Sequence, residues 1–150
     1  MLRLHGVLGH SSDPSFRGRL HRLEHSDGIE LLFVPPEDVG RRRFRADTDR
    51  GTDCAVSFDR DGDLQDGDVL YLDEARAVIV RFGAEKVWRL RPRDQAAALK
   101  LGWNAGNLHW RVRFDGDGLA ILLDAPLETY RARVRSLLED GSVEELGADV

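Results

Sequence analysis

The chain is 150 residues long, 41% hydrophobic and 33% charged, with a formal net charge of −5 and a single cysteine. A folded chain of this length buries roughly 70% of the surface it exposes when unfolded, so a core needs no disulfide, and Cys54 alone can form neither an intramolecular bridge nor a structural zinc site. The acidic balance excludes a general nucleic-acid binder, and neither a signal peptide nor an apolar run approaching the ~20 residues of a membrane span is present, so a cytoplasmic protein is expected.

From Leu2 to Phe82, turn signals recur and the segments between them alternate with the period of two expected of half-buried strands. The clearest strands are 29–34, 43–48, 53–58, 69–72 and 77–82, separated by Pro35-Pro36, Asp49-Arg50-Gly51 and Asp73-Glu74. This half, residues 1–83, reads as an all-β domain. Cys54, Val56 and Phe58 share one strand face, which makes Cys54 a small core residue. His5, His10, His21 and His25 crowd the first 25 residues. His21 and His25 are four apart, but Gly18 and Gly28 leave little helix to hold them together, so they are expected to be weak auxiliary ligands at most.

After Gly83-Ala84-Glu85 short strands alternate with helices, and residues 84–150 read as a second domain. A strand over 86–91, with Trp88 and Leu90 on one face, leads to a helix from about Asp94 to Ala105. Ala96, Leu99 and Trp103 form its expected buried stripe and Gly106-Asn107 its end. A strand over 109–114, an Asp115-Gly116 turn and a strand over 119–123 follow. Asp124 is placed to cap a second helix carrying Leu127, Tyr130, Val134 and Leu137, and 143–146 is a last strand. The order β-α-β-β-α-β is ferredoxin-like, so the fold class is α+β.

In the 109–114 strand Trp110, Val112 and Phe114 share the parity expected to face the helices, leaving His109, Arg111 and Arg113 on the open face. His109 reads in two ways: as an ordinary surface histidine, or as a ligand on a twofold dimer face, where two imidazoles meet across the axis and suit nickel, copper or zinc. Asp59, Asp61, Asp63, Asp66 and Asp68 resemble a calcium loop, but Leu64 replaces the turn glycine and Leu70 the final glutamate. Arg41-Arg42-Arg43-Phe44-Arg45 reads as a charged strand edge. No Gly-x-Ser-x-Gly elbow, Walker loop, Gly-x-Gly-x-x-Gly or His-Glu-x-x-His occurs, so the chain reads as non-catalytic. A small acylphosphatase-like enzyme is disfavoured because Asp94 in the loop after Arg91 opposes an anion.

Gly106-Asn107-Leu108-His109 between the two helices, preceded by Arg45-Ala46-Asp47-Thr48-Asp49-Arg50-Gly51 and Asp66-Gly67-Asp68-Val69-Leu70, resembles the urease accessory protein UreE family over nearly the whole chain. That resemblance implies a homodimeric nickel chaperone, joined through its C-terminal domains, that holds Ni2+ between paired His109 side chains. Zn2+ or Cu2+ would be accepted in vitro. It further implies delivery through the GTPase UreG to the apo-urease assembly complex, with an N-terminal domain that binds protein or peptide, and no nucleic-acid or membrane partner. Many members carry a second histidine where this chain has Asn104, some a His-x-His pair where it has Leu123-Asp124-Ala125, and many a histidine-rich tail where 141–150 has none. Affinity is therefore expected to rest on His109 with water or a partner's ligands. A metal-independent protein-binding scaffold in metallocentre assembly is the alternative reading.

Overall fold

The computed structural model describes residues 1–59 and 64–149, and the chain divides into two compact units, Met1–Ala84 and Glu85–Val150. The first contains β1 (Leu2–Leu4), β2 (Gly9–His10), α1 (Pro14–His25), β3 (Ile29–Val34), β4 (Arg43–Asp47), β5 (Asp53–Ser57), β6 (Asp68–Leu72) and β7 (Ala77–Phe82). They form a three-stranded sheet in the order β1-β5-β4 and a four-stranded sheet in the order β2-β6-β7-β3.

Alternation along β3 and β7 explains the layering. Leu32, Val34, Val78 and Val80 join Leu4, Cys54 and Val56 in one apolar cluster, whereas Leu31, Ala77 and Ile79 join Leu20 and Leu23 of α1 in another. Both faces of these strands are thus buried, which is why their sequences read as continuous apolar runs. Cys54 is fully buried, on the face the strand alternation assigns to it.

Helix α1 departs from the expectation of a purely β first half. Asp13 accepts a hydrogen bond from the Ser15 amide at 2.9 Å, and Pro14 occupies the first turn, where a missing N–H costs nothing. Phe16, Leu20 and Leu23, spaced i, i+4, i+7, then pack on the sheet. A Schellman closure ends the helix: the Gly28 amide donates to the Leu23 carbonyl at 2.7 Å and Asp27 takes φ +57°. Gly28 is required here because a Cβ would lie 2.5 Å from the Ala75 carbonyl oxygen.

The second unit contains β8 (Val87–Pro92), α2 (Gln95–Asn107), β9 (Arg111–Asp115), β10 (Gly118–Leu122), α3 (Leu127–Arg133), α4 (Arg135–Glu139) and β11 (Val143–Asp149). Its antiparallel sheet has the order β11-β8-β10-β9, so the β-α-β-β-α-β succession read from the sequence is present, with its second helix broken at Val134. At one rim the register aligns Asp149 with Val87, Leu122 with Val87, and Leu122 with Arg111. Trp88, Leu90, Leu101, Ile121, Tyr130, Val134 and Leu137 build the core between sheet and helices.

Three local expectations are corrected. Asp124 does not cap α3: its carboxylate accepts from the buried Tyr130 hydroxyl at 2.8 Å, and burial pushes that phenol up to about 12. Phe114, expected to face the helices with Trp110 and Val112, is 88% exposed near the hairpin turn. The expected stripe of α2 is inverted as well: Ala97, Leu101 and Ala105 are buried, whereas Leu99 and Trp103 are 69% and 68% exposed.

Candidate functional site: the C-terminal turn of α2

Helix α2 starts where the Asp94 carboxylate accepts from the Ala97 amide at 2.8 Å, and its end sets the backbone of His109. Gly106 and Asn107 are its last residues rather than its stop signal. The Trp110 amide donates to the Ala105 carbonyl at 2.9 Å and the His109 amide to the Gly106 carbonyl at 3.1 Å, the two bonds of a Schellman closure. His109 therefore occupies the position that glycine or asparagine normally takes, with φ +55°. A left-handed backbone costs an ordinary residue roughly 1–2 kcal/mol. The apolar contact that usually accompanies this closure is made by Trp110, which packs against the cluster containing Ala105 and lies 5.1 Å from the Tyr130 ring.

This corrects the expected placing of His109 on a strand. Strand β9 begins only at Arg111, and His109 is an exposed residue of the preceding turn. Its direction is nevertheless fixed, because the backbone on both sides is hydrogen-bonded to the helix. Arg113, on the same strand as Arg111, forms a two-pronged ion pair with Glu85, one arm at 2.8 Å, which offsets its charge. The outer face of α2 carries Ala96, Leu99, Trp103 and Gly106 at helical spacing, and the His109 turn follows directly from it. A Cβ at Gly102 or Gly106 would meet nothing within 4 Å, so neither glycine is demanded by packing within the chain.

The other candidates separate. His10 is committed to structure: its Nε2–H donates to the Asp66 carbonyl at 2.8 Å, which leaves Nδ1 to accept from Ser12. Of the proposed calcium loop, Asp61 and Asp63 lie outside the described residues. Asp66 accepts from the Phe82 amide and Asp68 from the Gln65 amide, at 2.8 and 2.7 Å. Arg45 of the basic run is bonded twice to Asp53, each arm at 2.7 Å, and Arg41 pairs with Asp38 at 2.9 Å. His21 and His25 are brought together on α1, with their Nε2 atoms 3.2 Å apart. The signal for that pairing lies in Asp13-Pro14, a helix start, and in the Phe16, Leu20, Leu23 spacing after it. Among the described residues no group of three or more histidine, cysteine or acidic side chains is arranged to hold a metal. None of their helices is long and apolar enough to cross a membrane.

Fold and site define a two-unit α+β protein in which a sheet-rich unit precedes an antiparallel β-α-β-β-α-β unit. The profile of the UreE urease accessory protein N-terminal domain matches residues 16–83. Urease accessory protein UreE 1 of Pseudomonas syringae pv. syringae is 46% identical over 144 residues, covering 96% of this chain and 99% of that protein. The protein of the same name from Pseudomonas syringae pv. tomato is 46% identical over 143 residues, covering 95% and 98%. Urease accessory protein UreE of Natronomonas pharaonis is 31% identical over 92% of this chain and 65% of that protein. The chain belongs to the UreE family of urease accessory proteins. It is an accessory factor of urease rather than an enzyme, with a role in urease maturation.

Proposed function

We propose that the protein is a cytoplasmic nickel metallochaperone that forms a homodimer through its second unit and holds Ni2+ between two His109 side chains, one from each copy. Delivery is to apo-urease, through the GTPase UreG. The observation that carries this reading is the outer face of α2: Leu99 and Trp103 are more than two-thirds exposed on the helix that ends in the His109 turn. A tryptophan and a leucine side by side in water gain roughly 1.5–3 kcal/mol or more each on burial, which favours pairing of that face with its symmetry mate. A twofold contact there converts one imidazole per chain into two at one point. Imidazole suits Ni2+, and also Zn2+ and Cu2+. With only two protein nitrogens the ion keeps exchangeable positions, as cargo to be handed on requires.

The first unit serves as the partner-binding module in this reading. Calorimetric titration of the dimer with Ni2+ should give about one ion per two chains. His109→Ala should abolish that binding with the dimer mass unchanged by light scattering, and Trp103→Asp should lower the mass to that of a monomer. Nickel binding by the His109→Ala protein equal to that of the parent overturns the assignment. If UreG complex formation proves indifferent both to nickel and to His109, the metal-independent scaffold replaces the chaperone.

A further inference from the structure

The pair left unused by this reading is on α1. His21 and His25 are one helical turn apart, both exposed, with ring centroids 4.6 Å apart and planes at 84°. Their Nε2 atoms approach to 3.2 Å, so one ring donates to the other. Two nitrogens each about 2.0–2.1 Å from a common ion are about 2.9 Å apart at a right angle and about 3.3–3.4 Å apart at a tetrahedral angle. The observed separation falls between these values. A proton thus occupies the place an ion would take, and small rotations of two exposed rings turn the hydrogen bond into a chelate.

The surroundings favour a cation there. His25 is the last residue of α1, so the pair belongs to its C-terminal turns, where the aligned peptide dipoles place partial negative charge. Glu24, exposed on the same turn, adds a negative charge opposite Arg22, while Asp27 is paired with Arg50 at 3.5 Å. Residues four apart on a formed helix are already neighbours, so little ordering is needed on binding. We infer that His21 and His25 form a second metal site, in the first unit, that chelates a late first-row divalent ion through both Nε2 atoms and leaves its other positions to water. On binding, the donor ring moves its proton from Nε2 to Nδ1 through water, so neutral rings bind without net proton release. Affinity should follow the usual order for nitrogen ligands and be greatest for Cu2+.

The site does not rest on His109, so its test is made in the full-length His109→Ala protein. Cu2+ titrated into that variant should bind at about one ion per chain, with an electron paramagnetic resonance spectrum showing coupling to two imidazole nitrogens. Adding His21→Ala or His25→Ala should weaken binding at least tenfold and remove the two-nitrogen pattern. Adding His5→Ala with His10→Ala should leave both unchanged. Because both rings are exposed, circular dichroism of the variants should match the parent. The proposal is overturned if the His109→Ala protein shows no two-nitrogen spectrum, or if loss of His21 and His25 leaves Cu2+ affinity as it was.

Discussion

Replacing Leu101 by alanine removes the one large side chain that α2 sends into the core of the second unit. Leu101 is 1% exposed and packs in the cluster of Trp88, Leu90, Ala105 and Ile121. Truncating so enclosed a leucine costs about 2.7–5 kcal/mol, the lost transfer energy plus the cavity left behind. A unit of this length holds only about 3–10 kcal/mol in total, so the variant should be marginal or unfolded at room temperature. Leu99, two residues earlier and 69% exposed, should cost no more than about 0.5 kcal/mol in the monomer when truncated, because alanine is the better helix former. Urea titration followed by tryptophan fluorescence reads this unit alone, since Trp88, Trp103 and Trp110 all belong to it. With an m-value of about 1–1.5 kcal/mol/M, Leu101→Ala should lower the midpoint by about 2 M or more, and Leu99→Ala by less than about 0.5 M. Running the titration at two protein concentrations separates folding from any loss of dimer, which alone depends on concentration. If Leu99→Ala proved the costlier variant at the lower concentration, the assignment of α2's inner and outer faces would be wrong.

Two further outcomes follow from titratable groups. Burial pushes the Cys54 thiol up to about 11, so only about one thiol in a thousand is ionised at pH 8. Ellman's reagent should therefore react very slowly with the native protein and at once in urea; prompt reaction of the native form would show that Cys54 is reachable. The Asp94 carboxyl is held below its ordinary 3.8, first by the hydrogen bond from the Ala97 amide and then by Arg93. A carboxylate lowered in the folded state adds stability above its unfolded value and loses it as pH falls through the folded one. The urea midpoints of the parent and of Asp94→Asn should accordingly converge below about pH 4, and an offset constant from pH 7 to pH 3 would refute this.

Strands are legible here because their alternation is strong: burial in β5 switches residue by residue, as the side-chain order of Cys54, Ala55 and Val56 requires. Helix α1 is harder to see, because Gly18 interrupts the pattern and the short stretches around it also fit strands. The capping aspartate with proline behind it outweighs that glycine. Helix α2 has apolar residues on both sides, and periodicity selects the bulkier set, Leu99 and Trp103. Which set turns inward is decided by the space above the sheet, and that space accepts Leu101 between Ala97 and Ala105. The backbone at His109 is opaque for a related reason: Gly106 and Asn107 are the residues expected in a left-handed turn, yet the helix runs through both and leaves histidine to adopt it. Chemistry can be read from residue types, but the end of a helix is set by hydrogen-bond closure, which depends on where Trp110 finds its contacts.

The aligned rim of the second sheet has a practical corollary for purification. Asp149 and Arg111 occupy the same row, separated by three strand spacings or about 14 Å, and Arg111 begins two residues after His109. A flexible run of six residues starting from Asp149 at that rim spans about 13 Å on average. An oligohistidine handle attached there could reach the His109 turn and add imidazole ligands to it, so titrations meant to count bound ions are best made on untagged material.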